Sequence, residues 1–205
     1  RAFPGAWPSL RILARLTGTA DPLDPRVVDA YWIGGGLGDQ VDGRAFGKEL
    51  LAEIGAQAGH YWRHLTPELV EEAAPNHCFH VFGVYPWSRL LGAGAGDHPL
   101  RVLDGCRINW GTVLDRPDAG RVKVRSRRLL WDGTRLSLSE PRDGEATLAV
   151  DGHAFVPDVR PGDRVALHWG LVSDRLTEEQ AERLRRTTLA QLEATNRRLA
   201  RAATP

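Results

Sequence analysis

Arg160 to Glu182, RPGDRVALHWGLVSDRLTEEQAE, sets out a turn, a strand and a helix start in succession. Pro161-Gly162-Asp163 is turn chemistry, because Pro presets φ and Gly accepts a positive φ. Val165, Ala166, Leu167, His168 and Trp169 then read as a short apolar strand. Thr177-Glu-Glu-Gln180 matches a capping box, with Thr at the N-cap and Gln at N3, opening a long amphipathic helix. The stretch therefore predicts the closing strand of a small β unit with a helix laid against it. Cys106-Arg-Ile-Asn-Trp-Gly-Thr-Val113 is the matching candidate for the first strand.

Between these ends lie other β-like runs: Gly120 to Leu130, Arg135 to Ser139 and Ala146 to Val150. Asp118-Ala-Gly120, Asp132-Gly133, Asp143-Gly144 and Asp151-Gly152 supply turns between them. Five short, closely spaced strands predict a small OB-like barrel, since closure removes exposed edges. The trailing helix is expected from about Thr177 to Arg201, with Leu184, Thr188, Leu192 and Leu199 on its apolar side.

Upstream, residues 1 to about 92 read as helical. Leu10, Leu13 and Leu16 keep helical spacing, and Asp24-Pro25 starts a second helix. Phe46, Leu50, Ile54 and Ala58 mark a third helix, and Thr66-Pro67 caps a fourth. Cys78 to Tyr85 is apolar enough for a strand or a buried helix, and periodicity does not separate the two. Gly92-Ala-Gly-Ala-Gly-Asp97 is small-residue punctuation and the expected linker. The expected class is α+β, with a helical domain at 1–97 and a barrel plus C-terminal helix at 98–205.

The 205 residues are 42% apolar and 26% charged, enough to build a core. A net charge of +1 argues against nucleic-acid binding by bulk electrostatics. No apolar run is long enough for a membrane span, so no membrane partner is expected. The chain starts at Arg1 and contains no Met, so a further upstream segment is expected. Two cysteines, Cys78 and Cys106, are too few for a disulfide framework, and a reducing cytoplasm is the expected compartment.

From Cys106 to about Thr187 the chain resembles the HypC/HupF family, the small chaperones of [NiFe]-hydrogenase maturation. The resemblance rests on Cys106-Arg-Ile-Asn-Trp-Gly111-Thr-Val113 and on Gly162-Asp163, the strand ending in His168, Gly170 and the acidic helix start Leu176 to Glu182. It implies that Cys106 and His168 ligate iron carrying cyanide and carbonyl, an Fe(CN)2CO unit. It also implies that the cargo passes to a hydrogenase large-subunit precursor with the help of a HypD-like scaffold protein. Cys106, Trp110 and Trp169 are the expected partner contacts, and no enzymatic activity of its own is expected. Two features depart from that family: Cys106 is internal rather than N-terminal, and Trp110 stands where the opening turn has Pro. The whole chain also resembles an uncharacterised bacterial family through Gly5-Ala-Trp-Pro8 and Val28-Asp-Ala-Tyr-Trp32, with a genomic setting near hydrogenase genes.

Other constellations carry weaker chemistry. Arg107 beside Cys106 is a cation that would favour a thiolate. His77-Cys78-Phe79-His80 places three donors in four residues, with His60, His64 and His98 elsewhere. Structural zinc favours paired Cys motifs, which this sequence lacks, so no metal site is expected there. Gly34-Gly-Gly36-Leu-Gly38 lacks the Gly-Lys-Ser/Thr of a phosphate loop and reads as a flexible connection. Arg121, Lys123, Arg125 and Arg127 alternate along one strand face. That face offers an alternative, an oligonucleotide-binding barrel, and a metal-free structural interaction protein is a further one.

Overall fold

The computed structural model describes residues 5–55 and 64–202, so Ala58 and His60 lie outside the described residues. Among the described residues no helix is long and apolar enough to cross a membrane. The fold is α+β, with helices followed by a five-stranded ring and a long C-terminal helix.

Three helices open the chain: α1 (Trp7–Leu16), α2 (Pro25–Trp32) and α3 (Gly43–Gly55). Asp24 caps α2, its carboxylate accepting from Arg26 N at 2.8 Å, with Pro25 at the first helical position. A 3-10 turn over Pro67–Glu72 follows where a fourth helix was expected. The ambiguous Cys78 run is helical. Asn76 caps α4 (His77–Phe79), which widens at once into a π turn over His80–Val84. The carbonyls that the wide turn frees are taken by long side chains. Ser88 Oγ and Arg198 Nη2 donate to Phe82 O at 2.7 and 2.8 Å, and Arg89 Nη1 donates to Gly83 O at 2.9 Å.

α5 (His98–Cys106) leads into the β region: β1 (Asn109–Asp115), β2 (Arg121–Ser126), β3 (Leu129–Trp131), β4 (Leu136–Leu138), β5 (Arg142–Thr147), β6 (Arg164–His168) and β7 (Leu171–Arg175). The ring order is β1-β2-β5-β7-β6, antiparallel except for β5 and β7, which meet at the single pair Thr147–Leu171. Val113, Val122, Val124, Ala146, Leu148, Val165, Leu167 and Val172 fill it.

Five strands were expected, but their identities differ. β3 and β4 form a separate hairpin outside the ring, and β7 takes a ring position in what looked like a connection. Asp143-Gly144 is not a turn: both residues lie within β5, opposite Arg125 and Val124. Cys106 ends a helix instead of starting a strand. Asp151-Gly152 is a turn as expected, with both φ values positive (50° and 77°) and Val150 paired to His153.

α6 (Glu178–Ala202) starts on the expected capping box. Gln180 N donates to Thr177 Oγ1 at 3.1 Å, and Thr177 N donates to Gln180 Oε1 at 2.9 Å. Such a cap contributes about 1 kcal/mol. The Gly34-Gly35 backbone lies directly on this helix. A Cβ on Gly34 would stand 2.4 Å from Thr187, and one on Gly35 2.8 Å from Arg183. These glycines serve close packing; they are neither a phosphate loop nor a loose connection.

The expected 97/98 boundary follows exposed turn residues at 92–97. Two apolar clusters draw from both sides of it. One joins Cys78, Val81 and Phe82 to Leu103, Cys106, Leu129, Leu136 and Leu192. The other joins Ile33 to Ile108, Ala166, Leu176, Ala181 and Leu184. The helical half is thereby packed against one side of the ring, and the site lies at that junction.

Candidate metal centre

Four distant segments meet where α5 ends and β6 turns. The β6–β7 turn is Trp169-Gly170, with φ of 52° and 74° between the paired residues His168 and Leu171. Two consecutive left-handed residues make a type I′ hairpin, and Trp is a costly choice for the first, by roughly 1 kcal/mol. The neighbourhood offsets that strain. Trp169 N donates to the orphan carbonyl of Gly105 at 2.7 Å. The indole lies so close over Gly105 that a Cβ there would be 2.6 Å from the ring. This contact docks the end of α5 on the hairpin and sets Cys106 beside His168.

The third donor is His77. The Sγ of Cys106 and one ring nitrogen each of His77 and His168 lie within 4.8 Å of one another. Cys106 Sγ is 4.0 Å from His77 Nε2. Zinc–sulfur and zinc–nitrogen bonds of about 2.3 and 2.1 Å in a tetrahedron need donors about 3.6 Å apart, so only a small contraction separates this trio from a ligand set. The trio is soft thiol plus borderline imidazole, suited to iron, zinc or nickel rather than magnesium or calcium. His168 Nε2 is buried without a hydrogen-bond partner among the described residues, an arrangement that a bound ion would relieve. The donor set fits a transition metal.

Burial controls the charges. It pushes the Cys106 thiol up to about 11. It lowers His77 to about 4, His80 to about 3, and His168 also below its ordinary value. Both imidazoles are thus neutral, whereas the thiol must give up its proton. Arg107 does not help it. That side chain is fully buried and turned away, with Nη2 2.8 Å from Asp104 and 2.6 Å from the Arg127 carbonyl and Nη1 3.1 Å from Asn109. It ties α5 to the ring instead.

Behind His77 the hydroxyl of Tyr31 lies 3.1 Å from His77 Nδ1 and 2.8 Å from His80 Nδ1. The indole of Trp32 covers the front, with its centroid 4.7 Å from His77 and 5.4 Å from His168. On the far side of Trp32 and His168 opens an apolar cleft of about 600 Å3, lined among others by Val28, Ile33, Ile108 and Ala166.

The resemblance carried over Cys106 and His168, and they lie side by side. It gave no hint of His77, which was set aside for want of paired cysteines. A signal was present nonetheless, because His77 and His80 share a helix face at i, i+3. Of the three expected partner contacts, Cys106 is buried, Trp110 is half-buried, and Trp169 is 58% exposed. Arg121, Lys123 and Arg125 do alternate outward on β2, but acids face them: Arg125 binds Asp143 at 2.6 Å and Arg121 binds Asp118 at 3.0 Å. Arg127 lies beyond the strand, half-buried and donating to Ser139 O.

No curated protein and no solved structure matches the chain. A family of unknown function, DUF6390, matches residues 1–202, and the chain belongs to it.

Proposed function

We propose that this protein is a metal-handling accessory of [NiFe]-hydrogenase assembly, a binding protein with no catalytic turnover of its own. Its cargo is an iron unit of the Fe(CN)2CO type, held through Cys106 and His168 with His77 as a third donor. Its partners are the hydrogenase large-subunit precursor and a HypD-like scaffold, and its setting is the reducing cytoplasm, where the free thiols of Cys78 and Cys106 persist. One observation carries the reading: a thiol and two neutral imidazoles from remote segments converge within 4.8 Å.

The end of α5 supplies Cys106 and the ring supplies His168, joined through the Gly105–Trp169 contact, and the helical half supplies His77. A thiol kept protonated by burial ligates only when the metal displaces its proton, so acid favours release. Trp169 offers exposed apolar surface next to the cargo and is the proposed point of partner contact.

The test has two arms. Purified full-length protein should take up Fe2+ or Co2+ with a thiolate-to-metal charge-transfer band that Cys106→Ala abolishes. In the parent cell Cys106→Ala should lower hydrogenase activity, and tagged protein should retain the large-subunit precursor. Metal uptake without any effect on hydrogenase would leave a metal-binding protein of another pathway. Absence of uptake would remove the reading altogether.

A further inference from the structure

The hydrogen bonds behind His77 admit one assignment of protons. The carbonyl of Cys106 only accepts, so His77 Nε2, 2.9 Å away, carries a hydrogen and donates it. His77 Nδ1 is then a bare lone pair and accepts from Tyr31 Oη at 3.1 Å. The hydroxyl has one hydrogen, now given away. Toward His80 Nδ1 at 2.8 Å it therefore accepts, and His80 Nδ1 donates. All three side chains are buried, so the chain is fixed by protein groups. In this arrangement the nitrogen facing Cys106 Sγ has no lone pair to offer a metal.

We propose that Tyr31 is the positioning residue of the site: metal capture at His77 Nε2 is coupled to reversal of the Cys106–His77–Tyr31–His80 chain, with Tyr31 turning from donor to acceptor toward His77. The protons balance. His77 Nε2 gives up its proton as the metal arrives, Tyr31 Oη passes its own to His77 Nδ1, His80 Nδ1 passes one to Tyr31 Oη, and His80 Nε2, closed to water in the folded site, takes one from solvent during a local opening. Each ring stays neutral, and the hydrogen bond to the Cys106 carbonyl is exchanged for a metal bond. In the reversed state the Nδ1–H of His77 points at Tyr31, the outer-shell contact that fixes the tautomer and orientation of a ligating histidine. One hydroxyl thus supports both states: in one it keeps the metal nitrogen occupied, and in the other it holds the ligand in place. For a protein that must load and surrender cargo, such a reversible latch has an obvious use.

This inference rests on the metal-binding reading, and the experiment separates the two. Co2+ titration of the full-length protein and of Tyr31→Phe, followed by the thiolate-to-cobalt band, should show intact binding in the parent and affinity reduced by about 10–100-fold in the variant. Equal affinities would overturn the role of Tyr31 and leave the site standing. No cobalt binding by the parent would overturn both. Should Tyr31→Phe not fold, histidine 15N shifts of the parent decide the matter. Metal-free protein should show His77 protonated at Nε2 and His80 at Nδ1, and Zn2+ should move the His77 proton to Nδ1. A metal-free His77 already protonated at Nδ1, or no exchange on adding Zn2+, would refute the latch.

Discussion

Mild acid should destabilise this protein through two buried histidines. His77 and His80 have an ordinary value of 6.5 in the unfolded chain and about 4 and 3 in the fold, through burial. The sign follows from proton counting. Between these values the unfolded chain binds more protons, so stability is fully present above 6.5 and is lost as pH falls toward the folded values. From about pH 8 to about pH 5 each ring should cost about 2 kcal/mol, or about 4 kcal/mol together, a large part of an ordinary domain's stability. The surroundings give no relief. Tyr31, Tyr85 and Cys106 are held uncharged by burial, and the two rings stand 5.7 Å apart, so a second charge meets the first. The exposed carboxylates with lowered values, such as Asp24 and Asp143, titrate below this window. Urea unfolding followed by tryptophan fluorescence at a series of pH values measures the slope. His80→Gln should remove about half of it. A loss under about 1 kcal/mol over that range would refute the claim that these rings are buried and neutral.

Three further outcomes follow from the geometry. Zn2+ affinity should rise about tenfold per pH unit through neutrality, because one proton leaves Cys106 while His77 and His168 are already neutral; competition titrations that show no slope would contradict the raised thiol. Gly105→Ala should push the exposed Trp169 indole aside, costing about 1–2 kcal/mol in thermal stability but at least tenfold in Co2+ affinity, since the contact that brings Cys106 to His168 is lost. Arg107→Ala should cost about 3–5 kcal/mol by stranding Asp104 and two further acceptors, Asn109 Oδ1 and the Arg127 carbonyl, around a buried gap, and circular dichroism melts should show Asp104→Asn/Arg107→Met milder than Arg107→Ala.

The local rules of the sequence reached quite far. The capping box at Thr177, the Pro161-Gly162 turn and the alternation along β2 are decided by neighbouring residues, so they are legible without the rest of the chain. Gly162 sits at a φ of 94° with Asp163 N bonded to Arg160 O, as that turn requires. The errors share one cause. Asp143-Gly144 carries the usual hairpin signal, yet the β2–β5 ladder pairs both residues, with Arg125 and Val124, and keeps them in β5. β7 buries only Val172 and so has too little apolar pattern to announce itself, and its place comes from pairing with β6. His77 looked isolated because Cys106 and His168, the donors it meets, lie far along the chain. In each case a contact distant in sequence outranked a local propensity.

The same distance explains why the site belongs to the whole chain rather than to the ring. Cys106 and His168 could be brought together by α5 and the β6–β7 hairpin without help. Tyr31, Trp32 and His77 could not join them unless α2 and the helix after Asn76 were packed on that hairpin, and the two apolar clusters that span 97/98 are what hold them there. Those clusters also desolvate the trio, which makes the histidines neutral donors and the thiol a reluctant one. An open ring with an N-terminal cysteine would present two ligands in water. Here the helical half sets His77, the Tyr31 hydroxyl and the Trp32 indole against Cys106 and His168, so the proposed capture and release of a metal depend on the junction between the halves.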